Sequence, residues 1–175
     1  MKKGGIGGVK TKSGLKFEER TSLKNLFESL PDYSVRSNKV YFKNKEVAQL
    51  YQKHELYRNL LQPNHIDYTT IISKKLLPDD SIFVIKNKIL HIIEMKFQEV
   101  AGSVDEKLQT CDFKHKQYQK LLSPLKIKVK YVYVLNDWFM KKEYEDVLKY
   151  IDSVGCYYFF NILPFHFLDL PTPSI

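Results

Sequence analysis

Apolar residues along much of the chain recur at steps of three and four, which is the period of an amphipathic helix. In the first such segment Leu23, Leu26, Phe27 and Leu30 share one helix face, and Ser13 is a suitable N-cap. The helices predicted in this way span residues 13–30, 45–61, 103–122 and 141–151. Pro124 ends the third of them, because proline cannot continue a helix.

Between these helices, polar and apolar residues alternate with the period of a β-strand. The clearest case is a hairpin of two strands, residues 81–86 and 89–97, which turns near Asn87. Further strands are predicted over residues 40–44, 66–72 and 125–135, and in the apolar tail that begins at Cys156. Strands that alternate with helices after an initial hairpin indicate an α/β fold with a central mixed β-sheet flanked by helices.

Residues 14–175 form one predicted domain, because no linker or internal repeat interrupts the pattern and 175 residues suffice for a sizeable core. Residues 1–13 carry four glycines and four lysines but no acid, so we expect a flexible basic arm. The glycines of the arm do not form a phosphate-binding loop, because Val9 separates Gly8 from Lys10.

The second strand of the hairpin carries charges where an apolar strand is expected to enter the core. Alternation places Leu90, Ile92, Glu94, Lys96 and Gln98 on one face, and His91, Ile93, Met95 and Phe97 on the other. A buried charge without a partner costs several kcal/mol. We therefore expect the face of Glu94 and Lys96 to leave the core and enter a cleft, whereas His91 is expected to be a packed sheet histidine.

The neighbouring strand supplies an aspartate to this face, and the length of the turn decides which one. Directly opposite residues in antiparallel strands share a face. A two-residue turn places Asp79 opposite Glu94 or Lys96, depending on its position. A three-residue turn centred on Asn87 pairs Asp80 with Glu94 instead. Because two-residue turns are the commonest, Asp79 is favoured and Asp80 is its rival.

Two carboxylates on adjacent strands with a lysine between them are suited to phosphoryl chemistry. Their hard oxygen atoms can bind Mg²⁺, which keeps several waters and accepts a phosphate oxygen. The metal would lower the pKa of a water molecule and neutralise charge on the phosphate, while Lys96 would stabilise the transition state. The alternative is a structural ion pair between Lys96 and either Asp79 or Glu94. Zinc is not expected, because no His or Cys residues have its ligand spacing.

Charge and composition narrow the classes of partner and location. The net charge of +8 favours polyanions, with nucleic acid first, although a lysine-rich surface that only maintains solubility is the alternative. No apolar run approaches the roughly 20 residues of a membrane span. Cys111 and Cys156 form no motif with each other and suit a reducing interior as buried fillers, so we expect a cytoplasmic protein.

The residues of the hairpin resemble a known signature. The Pro-Asp pair that ends at Asp79, fifteen residues before the acid of the "EMK" triplet at Glu94, resembles the PD-(D/E)XK nuclease signature, which lies on such a hairpin. "TKSGLKFEE" resembles the first-helix motif of some type II restriction endonucleases, whose glutamate matches Glu18. "KFQEVAGSVDEKLQT" resembles the segment that follows their catalytic strand.

The resemblance implies a restriction-endonuclease-like core and assigns roles to particular residues. Asp79 and Glu94 would be metal ligands for one or two Mg²⁺, Glu18 would be a supporting carboxylate or a ligand of the second metal, and Lys96 would be the catalytic lysine. Candidate contacts to DNA are Gln98, Lys107 and Gln109 from the resemblance, and Lys10 and Lys12 from the basic arm.

The resulting functional hypothesis is a type II restriction enzyme that hydrolyses double-stranded DNA to 5′-phosphate and 3′-hydroxyl ends. Cutting both strands of a symmetric site would call for a homodimer. Two alternatives remain: a structure-specific nuclease of the same fold, such as a junction resolvase or repair nuclease, and a DNA-binding protein without catalytic activity.

Overall fold

A seven-stranded mixed β-sheet flanked by helices forms the centre of the computed structural model, which describes residues 14–17, 21–99 and 104–174. The strands are β1 Gly14–Lys16, β2 Tyr33–Arg36, β3 Lys39–Phe42, β4 Lys45–Leu50, β5 Asp80–Val84, β6 Ile89–Lys96, β7 Lys128–Leu135, β8 Tyr157–Phe160 and β9 Ile162–Pro164. The α-helices are α1 Leu23–Glu28, α2 Val104–Leu108, α3 Cys111–Leu122, α4 Glu145–Ser153 and α5 Phe165–Leu168. The predicted α/β class is confirmed.

The order of strands in the sheet is β2-β3-β4-β5-β6-β7-β8. Strands β2 to β6 form an antiparallel meander, whereas β6, β7 and β8 run parallel. Between β3 and β4, Lys43 and Asn44 adopt φ angles of 47° and 64°, as a two-residue hairpin turn requires. Parallel strands need crossover connections, which α2 and α3 supply between β6 and β7, and α4 supplies between β7 and β8.

The sheet is covered on both faces, so it contributes to two hydrophobic cores. Leu90, Ile92 and Tyr131 belong to one core, together with the buried side of α3. Ile93 and Val132 belong to the other, together with α1, β1, β9 and α5. Because β6 and β7 are buried on both faces, their sequences are nearly continuous apolar runs. Glu94 and Lys96, near the C-terminal end of β6, interrupt this apolar run.

The predicted helix from Ser13 to Leu30 is wrong in its first half. Residues Gly14–Lys16 form β1, which pairs antiparallel with β9, and Leu15 and Phe17 are buried in the core. The helix begins only at Leu23, where the Ser22 hydroxyl accepts a hydrogen bond from the main-chain N–H of Asn25 at 3.3 Å. The predicted apolar face of the helix itself is confirmed, since Leu23 and Phe27 are fully buried.

Two further predictions about the first half of the chain are wrong. The segment predicted as a helix over 45–61 contains β4, and only Leu56–Leu61 is helical, as a π-helical segment. Strand pairing on both sides of β4 overrides the helix propensity of its Lys, Glu, Ala and Gln residues. The segment predicted as a strand over 66–72 holds a 3₁₀ turn, Tyr68–Thr70, which the Asp67 carboxylate caps at Thr69 N.

The second half of the chain agrees with the prediction more closely. The hairpin, β7, α4 and a final strand in the tail are confirmed. The predicted helix over 103–122 is present as α2 and α3, which are separated at Gln109 and Thr110. No helix within the described residues is long and apolar enough to cross a membrane.

The two cysteines are buried and free, as predicted. The sequence suggested no relation between them, but α3 and the chain before β8 bring Cys111 and Cys156 into hydrogen-bonding contact. The Cys156 thiol donates to the Cys111 sulfur, and this hydrogen bond lowers the pKa of Cys111. Both residues pack in the core between the sheet and α3, so their role in the fold is to fill space.

Candidate active site

The register of the β5–β6 hairpin determines which of the two aspartates, Asp79 or Asp80, lies on the same face as Glu94. Asp80 pairs with Ile93 and Val84 pairs with Ile89, so the position before Asp80 lies opposite Glu94. This register is one of the two that a two-residue turn predicts, although the observed turn comprises four residues, Ile85 to Lys88. Asp79 therefore lies on the face of Glu94, as predicted, and Asp80 lies on the opposite face.

The ammonium group of Lys96 joins the two carboxylates. Its Nζ donates to Glu94 Oε2 at 3.0 Å, to Asp79 Oδ2 at 3.3 Å and to the Met95 carbonyl at 3.2 Å. The side chains of Glu94, Lys96 and Asp79 are 6%, 16% and 42% exposed. Since an ammonium has three donors, Lys96 is fully hydrogen-bonded. The cluster therefore extends from a buried acid to one that faces solvent.

A second lysine, which the sequence did not assign to the site, also reaches Glu94. Lys114 Nζ on α3 lies 3.4 Å from Glu94 Oε2, the same oxygen that Lys96 contacts. The contact arises because α3 packs on β7, next to β6 and on the face of Glu94. The sequence held one signal for it, since a crossover helix between parallel strands must pack on a face of the sheet. The periodicity alone did not say which of its lysines approaches the acids.

The floor of the site is aromatic. Glu94 pairs with Tyr133 across β6 and β7, and Tyr118 and Tyr131 are fully buried nearby. Burial, together with the negative charge of Glu94, raises the pKa of both Tyr118 and Tyr131 above the ordinary value of 10. The phenols therefore stay neutral, and the two lysines are the cations that balance the charge of Glu94 among the described residues.

Asp80, the rival ligand, has a different environment. Its side chain is 2% exposed, and its Oδ2 accepts a hydrogen bond at 3.2 Å from the main-chain N–H of Leu23, at the start of α1. Burial raises the pKa of Asp80 from 3.8 to about 6. The residue lines a polar cavity of about 300 Å³ that also borders Gln52 and Glu55. Asp80 therefore lies on the other face of the hairpin from the Lys96 cluster, and the pairing of Asp80 with Glu94 that a three-residue turn predicts is not observed.

Three of the residues predicted to contact DNA, Gln98, Lys107 and Gln109, are described by the structure, and their surroundings differ. Gln98 is buried, and its main chain pairs with the Asn136 side chain through bonds of 3.3 and 2.8 Å. Lys107 has an exposed side chain, and its carbonyl accepts a hydrogen bond from Tyr133 at 3.1 Å, which places α2 beside the site. Gln109 instead borders a surface groove against α4.

Three predicted site residues, Lys10, Lys12 and Glu18, lie outside the described residues. The motif that assigned Glu18 was expected to be helical, but its described part, residues 14–17, contains β1. The likeness to a first-helix motif is therefore not supported by local structure, and the role of Glu18 stays a prediction.

The carboxylate pair fits Mg²⁺ in its chemistry. Asp79 and Glu94 supply hard oxygen atoms, and Mg²⁺ is commonly held by one or two carboxylates together with water and phosphate oxygens. Lys96 Nζ lies between the two carboxylates, so the pair already binds one cation, the ammonium group of this lysine. Within the described residues, no group of three His, Cys, Asp or Glu side chains could hold a metal ion. Beyond Asp79 and Glu94, further ligands would come from water, from the substrate or from Glu18, which lies outside the described residues.

Comparisons with known proteins do not identify a relative. No family model matches the chain, and neither curated proteins nor solved structures include a significant match. The function must therefore be inferred from the residues of the site and from the fold that positions them.

Proposed function

We propose that this chain is a Mg²⁺-dependent endonuclease that hydrolyses double-stranded DNA to 5′-phosphate and 3′-hydroxyl ends, as a type II restriction enzyme does. The observation that carries the proposal is the position of Lys96 Nζ, which contacts the carboxylates of both Glu94, on β6, and Asp79, just before β5. Such a cluster at the solvent-facing end of an apolar hairpin would offer two carboxylates to a metal ion and one cation to a phosphodiester.

Each residue of the cluster has a distinct role in this proposal. Asp79 and Glu94 would hold Mg²⁺, which lowers the pKa of water and neutralises charge on the phosphate when it is bound. Lys96, released from the carboxylates, would donate to an oxygen of the scissile phosphate and stabilise the negative charge that develops there. The exposure of Asp79 leaves the cluster accessible from solvent, and Glu94 is buried on β6, between β5 and β7 in the sheet.

The topology and the charge of the chain support the proposal. Helix α1 precedes the antiparallel strands β4, β5 and β6, and a helical crossover then leads to the parallel strand β7. Apart from the additional strands β2 and β3 between α1 and β4, this order resembles that of a restriction-endonuclease-like core. The net charge of +8 suits a polyanionic substrate. Because one fold serves many functions, the main argument remains the site itself.

The proposal also includes a homodimer and a cytoplasmic location. A single site of this kind cuts one strand, so a break in both strands of a symmetric sequence needs two copies related by a two-fold axis. The free cysteines suit a reducing compartment.

Two consecutive aspartates at the start of β5, Asp79 just before the strand and Asp80 as its first residue, point to opposite faces of the hairpin and provide a matched test. Purified protein would be incubated with supercoiled plasmid in Mg²⁺, with chelator as the negative control. We expect Asp79→Asn, Glu94→Gln and Lys96→Ala each to lower the cleavage rate at least about 100-fold. Asp80→Asn should retain the rate of the wild type, because Asp80 does not contact the cluster.

The products distinguish the alternatives. Discrete fragments with 5′-phosphate ends support a restriction enzyme, whereas cleavage of branched or damaged DNA alone would indicate a structure-specific nuclease. If the Glu94→Gln and Lys96→Ala proteins cut as fast as the wild type, the proposed catalytic roles are wrong. If the wild type neither cuts DNA nor binds Mg²⁺, the cluster is a structural ion-pair network.

A further inference from the structure

Two ammonium groups converge on one oxygen of Glu94, which is more than an ion pair requires. Lys96 Nζ lies 3.0 Å and Lys114 Nζ 3.4 Å from Glu94 Oε2. Lys96 has two further acceptors, the Asp79 carboxylate and the Met95 carbonyl. Among the described residues, Glu94 is the sole salt-bridge partner of Lys114, and their contact is the longer of the two. Lys114 is therefore the cation that Glu94 can release most easily.

The position of Lys114 is set by the anchoring of α3 rather than by a local helix pair. Gln119 bonds both Ile127 O at 3.0 Å and Val129 N at 2.9 Å, and a ring nitrogen of His115 lies 3.0 Å from Val129 O. These bonds fix α3 against the first residues of β7. The next lysine of the helix, Lys116, instead pairs with Asp112 one turn away.

The formal charges of the cluster balance without metal. Asp79 and Glu94 contribute two negative charges, and Lys96 and Lys114 contribute two positive ones. A divalent cation at the carboxylates would give the cluster a net positive charge, which attracts a phosphodiester and stabilises the additional negative charge of its transition state. Without Lys114 the cluster would attract the metal more strongly and the phosphate less strongly.

We infer that Lys114 is a second substrate-binding cation of this site, which neutralises Glu94 in the metal-free protein and binds the scissile phosphate once Mg²⁺ is held by Glu94. The inference rests on the proposed nuclease function. The flexible four-carbon stem of lysine allows the ammonium to move between the two anions. Since 29% of its side chain is exposed, Lys114 is accessible to a substrate at the solvent-facing end of the cluster.

The test compares Lys114→Met with a matched control, Lys116→Met, on the same helix. Titration of each protein with MgCl₂ alone, without DNA, measures metal affinity by calorimetry. We expect Lys114→Met to bind Mg²⁺ about fivefold or more tightly than the wild type, because a competing cation is removed. Cleavage at saturating Mg²⁺ should fall by about tenfold or more, with a higher KM for DNA. Lys116→Met should change neither quantity.

Lys114→Arg separates charge from packing, because arginine keeps the positive charge and can bind phosphate. We expect this variant to restore the metal affinity of the wild type and most of the cleavage rate. Equal behaviour of Lys114→Met and the wild type in both assays would overturn the inference, as would weaker Mg²⁺ binding together with slower cleavage. If the wild type itself neither binds Mg²⁺ nor cuts DNA, the proposed function fails first, and the inference fails with it.

Discussion

The buried carboxylate of Asp80 provides a prediction about stability that does not depend on any function. Asp80→Asn replaces a carboxylate with an amide of nearly the same shape. The amide oxygen can still accept the hydrogen bond that Asp80 Oδ2 receives from Leu23 N at 3.2 Å. The substitution therefore removes a negative charge from the core while it keeps the contact that links β5 to the start of α1.

The magnitude follows from the pKa of Asp80, which burial raises from 3.8 to about 6. A folded-state pKa above the unfolded value means that the folded protein binds the proton more tightly. Stability therefore increases as the pH falls from above 6 toward 3.8, and the ionised carboxylate destabilises the protein at higher pH. A shift of about two pKa units corresponds to about 3 kcal/mol. We expect Asp80→Asn to raise the free energy of unfolding at pH 8 by about 1–3 kcal/mol.

The assay is urea unfolding of the wild type and the variant at several pH values between 4 and 8. The fluorescence of Trp138, the only tryptophan, provides a signal. The difference in unfolding free energy should be largest above pH 7 and should shrink as the pH falls to about 4. Comparison of the two proteins at each pH cancels the contribution of the other titrating groups.

An exposed acid serves as the control. Asp146→Asn, on the solvent side of α4, should leave the free energy of unfolding within about 0.5 kcal/mol of the wild type at every pH. A difference between Asp80→Asn and the wild type that does not depend on pH would refute the argument from burial. A loss of stability at pH 8 would show that the hydrogen bonds of Asp80 with Leu23 and Gln52 need the charged carboxylate.

Two further substitutions test the packing. Burial lowers the pKa of His91 from 6.5 to about 3, so the protein loses stability as the pH falls below 6.5. His91→Leu removes this titration and should stabilise the protein by about 3 kcal/mol at pH 4, as measured by acid unfolding. An unchanged acid transition would contradict this. A Cβ atom at Gly14 would lie 2.6 Å from the carbonyl oxygen of Leu163. Gly14→Ala should therefore lower the free energy of unfolding by about 1–3 kcal/mol, as measured by thermal unfolding. An unchanged Tm would refute this prediction.

The sequence predicted the core of the site because the relevant relations are local. Alternation within one strand places Glu94 and Lys96 on the same face, and a hairpin with a short turn leaves few registers for Asp79. The observed register is one of these, and Asp79 contacts Lys96 as expected. Periodicity also identified the apolar face of α1, although it extended the helix too far toward the N-terminus.

The failures occur where the conformation of a segment depends on a distant partner. Residues 14–16 form a strand because β9, almost 150 residues later, pairs with them. The residues of β4 have good helix propensity but lie between two strands. The polar end of Asp80 is held by Leu23, a contact across 57 positions. No pattern of neighbouring residues records such partners, since pairing and packing energies arise only after the chain has folded.

Lys114 shows the same division within the candidate site. The sequence placed it on a helix after β6, and periodicity showed that this helix has one apolar face. Its approach to Glu94 depends on where α3 crosses β7 and how Gln119 anchors it. Local residue patterns thus determine which side chains share a strand face or a helix face. Long-range packing decides where α3 crosses the sheet. That crossing determines which of those faces meet, and it brings Lys114 to Glu94 beside Lys96.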